Sequence, residues 1–184
     1  MRVQQEFLVQ RRVAEVVDLF QNVPAVVDCV PGASLLETLD DGSFLGQLTV
    51  KLGPITARFE GNATIVWTEG ESRGSIDATG ADRRGGSRAK MKVDFMIASD
   101  GEGTKVIIDA DLVISGTAAQ FARAGLVGEL AARMIRDFAA CLEAKLGASS
   151  PAEAGAVKAK ELRALPLVGG AIVDSVRASL RKRR

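Results

Sequence analysis

The chain has 184 residues, of which 47% are hydrophobic, and it carries 24 basic side chains, 23 acidic side chains, two cysteines and no histidine. This length suits one domain of about 150 residues with an appendage, because single cores usually hold about 100 to 200 residues. Without histidine there is no Ser-His or Cys-His nucleophile, no imidazole base near neutral pH and no histidine-ligated metal site. The composition therefore favours a binding protein over an enzyme.

Cysteine usage and the start of the chain predict a reducing compartment. Cys29 and Cys141 are far apart and do not form the dense cysteine framework of a small secreted domain. The first ten residues, MRVQQEFLVQ, carry charge and amides where a signal peptide has an apolar run. We therefore expect a cytoplasmic protein in which Cys29 is a packed small side chain with a free thiol.

The chain begins with a predicted strand and two short predicted helices. Apolar and polar residues alternate from 3 to 9, which is typical of a strand with one buried face. From 14 to 22 the apolar residues recur at helical spacing. A second short helix is predicted over 23–30, since Pro31-Gly32 follows it.

A six-strand antiparallel run is predicted next. Alternation with a period of two is clear over five segments of this run, namely 44–52, 57–68, 76–80, 89–97 and 106–114. Short turn sequences precede or separate these segments, among them Asp-Asp-Gly at 40–42, Arg-Gly-Gly at 84–86 and Asp-Gly-Glu-Gly at 100–103. Such a pattern predicts a meander with one apolar face.

A long helix is predicted over about 118–146, because large apolar residues recur there at steps of three to five. This helix must cover the apolar face of the sheet. The predicted fold class is α+β, with a curved antiparallel sheet of six to seven strands wrapped on a long C-terminal helix and two short helices after the first strand.

The apolar face of the predicted sheet has small residues where a packed core favours larger ones. They permit two interpretations. The glycines can allow strong curvature while the alanines lie under close helix contacts, or the face can enclose a cavity. A cavity with apolar lining would suit a lipid-like or ring-bearing ligand. The small residues are Ala57, Gly61, Ala63, Ala78, Gly80 and Ala89.

We predict that side chains from the short helices, the sheet and the long helix line this cavity, and that it opens near 26–34 and near Ala119. No catalytic residue and no metal ligand is predicted. The predicted ligand-binding residues are Phe20, Val26, Val30, Phe44, Leu48, Phe59, Gly61, Ala63, Ile76, Ala78, Met91, Val93, Phe95, Leu112, Phe121, Leu126, Leu130 and Met134.

The C-terminal part of the chain differs from the rest in charge. The last 29 residues carry eight basic and two acidic side chains, so the remainder is acidic. We predict a domain over 1–147, a linker over 148–161 around the breaker sequence Gly-Ala-Ser-Ser-Pro, and a basic tail over 162–184. The apolar part of the tail is too short to span a bilayer, which needs about 20 apolar residues.

The tail itself permits two interpretations, a solvated disordered terminus or an amphipathic helix at the membrane interface. Nucleic-acid binding is disfavoured because the tail has no aromatic side chain for base stacking. The predicted membrane-docking residues are Leu165, Val168, Ile172, Val176, Arg177, Leu180, Arg181, Lys182, Arg183 and Arg184.

Three passages resemble the G-subunit family of carbon monoxide dehydrogenase. They are Cys29-Val-Pro-Gly32, Lys51-Leu-Gly-Pro-Ile55 leading to Phe59-Glu-Gly61-Asn-Ala63, and Gly116-Thr-Ala-Ala-Gln-Phe121. The likeness covers about residues 1–146, and the order of elements looks like the helix-grip fold of the START-related superfamily. The resemblance implies a non-catalytic accessory protein that links a molybdenum-containing carbon monoxide dehydrogenase, or a related hydroxylase, to the membrane and its quinone pool.

From these features we hypothesise a carrier that holds an isoprenoid quinone such as menaquinone or ubiquinone, has no redox group of its own, and associates peripherally with the inner leaflet of the cytoplasmic membrane. An alternative is a pure recruitment protein with a filled core and no ligand. An enzyme is the third possibility, because the superfamily that the chain resembles includes cyclases and hydrolases.

Overall fold

The computed structural model describes residues 1–52, 55–120 and 126–159. Seven antiparallel strands form one sheet in the order β1-β7-β6-β5-β4-β3-β2. Four helices are described with it, which confirms the predicted α+β class and the predicted order of elements. The strands are β1 (Arg2–Val9), β2 (Ala33–Thr38), β3 (Phe44–Leu52), β4 (Ile55–Trp67), β5 (Arg73–Asp82), β6 (Ser87–Asp100) and β7 (Gly103–Ser115); the helices are α1 (Val13–Gln21), α2 (Val23–Cys29), α3 (Leu126–Gly147) and α4 (Pro151–Ala156).

Local capping fixes the starts of the two short helices. At α1 the backbone N–H of Arg12 donates to Glu15 Oε2 over 3.1 Å, which places an acidic side chain in the first turn. At α2 the side-chain oxygen of Asn22 accepts from the backbone N–H of Ala25 over 3.2 Å. Because Asn22 also ends α1, the two helices follow one another with a single residue between them.

The long helix α3 packs with its C-terminal half against β1, α1 and α2. Phe138 and Leu142 are buried there, and the ring of Phe138 meets those of Phe7 and Phe20 edge-on at 5.8 and 6.0 Å. A second cluster lies beside it and consists of buried Val9, Val16, Phe95, Ile97 and Val106. The packed core therefore lies towards one end of the concave face.

A disulfide joins Cys29 at the end of α2 to Cys141 in α3. The expectation of a free thiol at Cys29 is wrong, because α2 folds back onto a helix that lies 112 residues later in the sequence. Both cysteines are buried in the cluster around Phe138 and Leu142. The disulfide removes the cysteine argument for a reducing compartment.

The short helix α4 lies inside the segment predicted as a linker, 148–161. Ser150 caps it by accepting from the backbone N–H of Glu153 over 3.2 Å. The domain limits themselves stay predictions. All the predicted membrane-docking residues, from Leu165 to Arg184, lie outside the described residues.

Candidate ligand-binding cleft

The strand register aligns five of the six predicted small residues, all except Ala57, in two neighbouring rows on the concave face. Each row crosses the five strands from β3 to β7, one residue per strand. One row is Phe44, Ala63, Ala78, Met91 and Leu112, and the next is Gly46, Gly61, Gly80, Ala89 and Ile114. The centre of both rows thus consists of small residues, with larger apolar side chains at both ends of the first row and at the β7 end of the second.

The glycines in the second row are explained by backbone approach. A Cβ on Gly61 would lie 1.9 Å from the carbonyl oxygen of Thr79 on β5, so a larger residue would force the two strands apart. On Gly80 a Cβ would lie 3.3 Å from Cβ of Phe59. The curvature interpretation thus accounts for Gly61, whereas it does not account for Ala63 and Ala78 in the first row.

Ten of the predicted ligand-binding residues stay half-buried although they face inward or lie on the first half of α3. Neither of the two core clusters includes any of them. Partly exposed apolar side chains outside the packed core are the lining that a site for an apolar ligand needs. These residues are Phe44, Leu48, Phe59, Ala63, Ala78, Met91, Leu112, Leu126, Leu130 and Met134.

The contacts of the described helices leave part of the concave face outside the packed core. α1 packs on β6 and β7, α2 on β2, and α3 on β1, so β3, β4 and β5 are not among the strands that these helices mainly contact. Leu126, Leu130 and Met134 recur at four-residue steps on α3, so they share one side of that helix. We define the apolar cleft as the concave face over β3–β5 together with this side of α3.

Other predicted ligand-binding residues belong to the packed end. Phe20, Ile76 and Phe95 join the first cluster, while Val26 and Val30 pack against the cluster that contains the disulfide. The ring of Phe20 lies 5.8 Å from that of Phe95. Val93 is buried, and Phe121 lies outside the described residues. Apart from Phe121, these positions belong to the packed core.

One carboxylate among the described strand residues has the inward phase, and it is not among the predicted site residues. Asp82, at the end of β5, is buried and accepts from the backbone N–H groups of Arg84 at 3.1 Å and Gly85 at 3.0 Å. These bonds cap the β5–β6 turn. The glycine-rich stretch at 80–86 therefore consists of the end of β5 and a capped turn.

The same turn is fastened to the start of the segment before α3. Ser87 Oγ accepts from the backbone N–H of Ala118 over 3.0 Å and lies 3.0 Å from Thr117 Oγ1. Gly116 has a φ of +78°, and a Cβ there would lie 2.1 Å from the carbonyl oxygen of Gly86. The Gly116-Thr-Ala passage thus has a structural role, because its contacts hold the end of β7 against the β5–β6 turn.

Asp109 lies on the convex face, away from the cleft. Arg2 donates to it through Nε and Nη2, with Nε 2.8 Å from Oδ1, and Gln4 Nε2 donates to Oδ2 over 2.9 Å. The hydrogen bond from Arg2, followed by that from Gln4, lowers the pKa of Asp109 to about 2. A carboxylate held in this way joins β1 to β7 and is not a general base at neutral pH.

Within 1–52, 55–120 and 126–159, no group of three or more Cys, Asp or Glu side chains is placed to hold a metal ion. In the same part of the chain, no helix has the length and the apolar character needed to cross a bilayer.

Residues 6–147 match the family of the carbon monoxide dehydrogenase G subunit, CoxG. The chain belongs to this family. The match includes both strand rows of the cleft, the disulfide and all of α3. Comparison with curated protein sequences gives no significant match.

Solved structures confirm the helix-grip architecture. A conserved protein from Geobacillus kaustophilus superposes with a TM-score of 0.69 at 13% identity, over 79% of this chain and 95% of the other. A protein from Thermus thermophilus gives 0.58 at 13% identity, over 82% and 100%. A START superfamily protein from Mycobacterium smegmatis gives 0.51 at 16% identity, over 79% and 96%. At these identities the likeness establishes the fold alone.

Proposed function

We propose that the chain is a non-catalytic accessory protein that takes an isoprenoid quinone, menaquinone or ubiquinone, into the apolar cleft and carries it between the membrane and a molybdenum-containing carbon monoxide dehydrogenase or a related hydroxylase. The observation that carries this proposal is the set of ten half-buried apolar residues that neither core cluster includes.

The chemistry of the cleft supports an apolar ligand. Its defining residues are aliphatic or aromatic, and the inward carboxylate nearest to them in sequence, Asp82, is already engaged by its own turn. A charged metabolite buried there would lose hydration without gaining a partner. A flat quinone ring with an isoprenoid chain would instead bury apolar surface, at about 25 cal/mol per Å².

Family membership supports the partner, since the name of the family links it to carbon monoxide dehydrogenase. The chain has no histidine, and its two cysteines are joined to each other, so we assign electron transfer to redox centres of the partner. The protein would then deliver the quinone to those centres and return it to the bilayer.

The basic tail supports membrane docking at the inner leaflet. Each basic residue close to an anionic surface contributes about 1 kcal/mol, and the last four residues of the chain are all basic. A full-length variant with Arg181, Lys182, Arg183 and Arg184 changed to Gln should bind anionic vesicles more weakly and lose most of its salt dependence. Equal binding by both proteins would contradict docking through the tail.

Organic extraction of protein purified from its native host, followed by mass spectrometry, tests the ligand. We expect a quinone in the extract. A protein that carries no apolar molecule, and that does not take up added quinone, would overturn the proposal and favour a recruitment protein with a filled core.

A further inference from the structure

The segment after the long helix folds back onto α2. Val157 is half-buried and packs against the cluster that contains Cys29, Cys141, Phe138 and Leu142. The backbone N–H of Ala159 donates to the carbonyl oxygen of Asp28 over 2.8 Å. We name residues 148–159 the strap.

Ion pairs join the strap to α2 at Asp28. Asp28 Oδ1 lies 3.3 Å from Lys158 Nζ in the strap, and Oδ2 lies 3.6 Å from Lys145 Nζ in α3. The Lys145 side chain is only 4% exposed and donates to the carbonyl oxygen of Ala154 over 3.0 Å. A buried ammonium group is costly without partners, so the strap and α2 stabilise Lys145 together.

These contacts lie beside the disulfide. Asp28 immediately precedes Cys29, and Val157 packs against the cluster in which both cysteines are buried. The contacts of the strap are few, namely one half-buried valine, one backbone hydrogen bond, the hydrogen bond that Ala154 accepts from Lys145, and an ion pair in which Lys158 is 66% exposed. The strap can therefore detach while the rest of the domain stays folded.

The position of α2 means that its separation from α3 would affect the cleft. It contacts β2 at one edge of the sheet and also contacts α3, whereas α3 reaches β1 at the opposite edge. The β2 edge is thus connected to the long helix through α2. Freeing α2 from α3 would widen the cleft at the β2 edge.

We propose that the strap covers the Cys29–Cys141 disulfide, so that a dithiol reductant reaches the disulfide only after the strap detaches. One thiolate of the reductant attacks a sulfur of the disulfide, and its second thiol then closes the reductant's own disulfide. Two electrons pass to the protein, and Cys29 and Cys141 each end as a protonated thiol. Reduction releases α2 from α3. Only the consequence for ligand access rests on the proposed function.

The test is the rate at which dithiothreitol reduces the full-length protein under native conditions, followed by thiol alkylation and mass spectrometry. Val157→Ser removes the apolar contact of the strap, and Lys158→Glu places a like charge beside Asp28. Each should accelerate reduction by about fivefold or more, because the strap opens more often. The matched controls lie on the convex face, Val66→Ser at a side chain that is 58% exposed and Lys90→Glu at another exposed residue. Both should be reduced at the wild-type rate.

Hydrogen exchange of α2 amides should increase after reduction and not before it. Wild-type rates in both strap variants would overturn the proposal. Equal acceleration in the controls would also overturn it, since reduction would then follow general unfolding. Quinone uptake is a separate measurement. A disulfide that the strap does not protect would leave the proposed quinone binding intact, and a protein that binds no quinone could still have a disulfide protected by the strap.

Discussion

Cys29 and Cys141 have Cα atoms 5.3 Å apart although 112 residues separate them in the sequence, and the disulfide between them ties α2 to α3. A cross-link of this span restricts the unfolded chain strongly.

The first prediction concerns this bond. The Cys29→Ala, Cys141→Ala double variant should lose about 2–4 kcal/mol of the free energy of unfolding. Chemical denaturation with and without a reductant measures the effect, and reduced wild type should approach the variant. An unchanged midpoint would mean that the disulfide does not stabilise the folded protein. Alkylation of the unreduced, denatured protein should detect no free thiol.

A second prediction concerns the close backbone approach of β4 and β5 at Gly61. Gly61→Ala should destabilise the protein by about 1–3 kcal/mol, because the added methyl group overlaps the carbonyl oxygen of Thr79. Gly128→Ala is the matched control, since it lies in α3 and a Cβ there meets nothing within 4 Å. That control should stabilise by up to about 1 kcal/mol. Thermal unfolding compares the two, and a neutral effect at Gly61 would contradict the close approach of the strands.

The third prediction concerns pH. Because the pKa of Asp109 is lowered to about 2, its ion pair with Arg2 stabilises the folded state above the ordinary value of 3.8 and is lost as the pH falls through about 2. NMR titration of the Asp109 carboxyl carbon should show this low midpoint in the wild type. Arg2→Gln should raise the midpoint, whereas Arg73→Gln, on the same face but paired with Glu71, should leave it unchanged. An unaltered midpoint in Arg2→Gln would contradict the assigned cause.

The strands could be predicted because alternation reports burial directly. The predicted segments 57–68 and 89–97 correspond to β4 (Ile55–Trp67) and β6 (Ser87–Asp100). The predicted and observed segments differ at their ends, because pairing with β7 continues β6 beyond the residues that alternate between apolar and polar. The inward phase of Phe44, Met91 and Leu112 also followed from alternation.

Contacts between distant elements could not be predicted in this way. The disulfide and the Asp28–Lys145 pair depend on how α2 lies on α3, which no local pattern encodes. α4 is a different case, because the sequence held a signal that the linker interpretation overlooked. Ser150, followed by Pro151 and then by Glu153 three residues after the serine, is typical of a helix start.

The apolar cleft is tested most directly by titrating the protein with a short-chain quinone while the fluorescence of Trp67, the single tryptophan, is recorded. Trp67 has the inward phase of β4, so a bound quinone should quench it with saturation. Ala78→Phe fills the centre of the cleft and should weaken binding at least about tenfold, a loss of about 1.4 kcal/mol. Ala81→Phe, on the opposite face of the same strand, should bind as the wild type does. Equal affinity in all three proteins, or no saturable quenching in the wild type, would contradict the account.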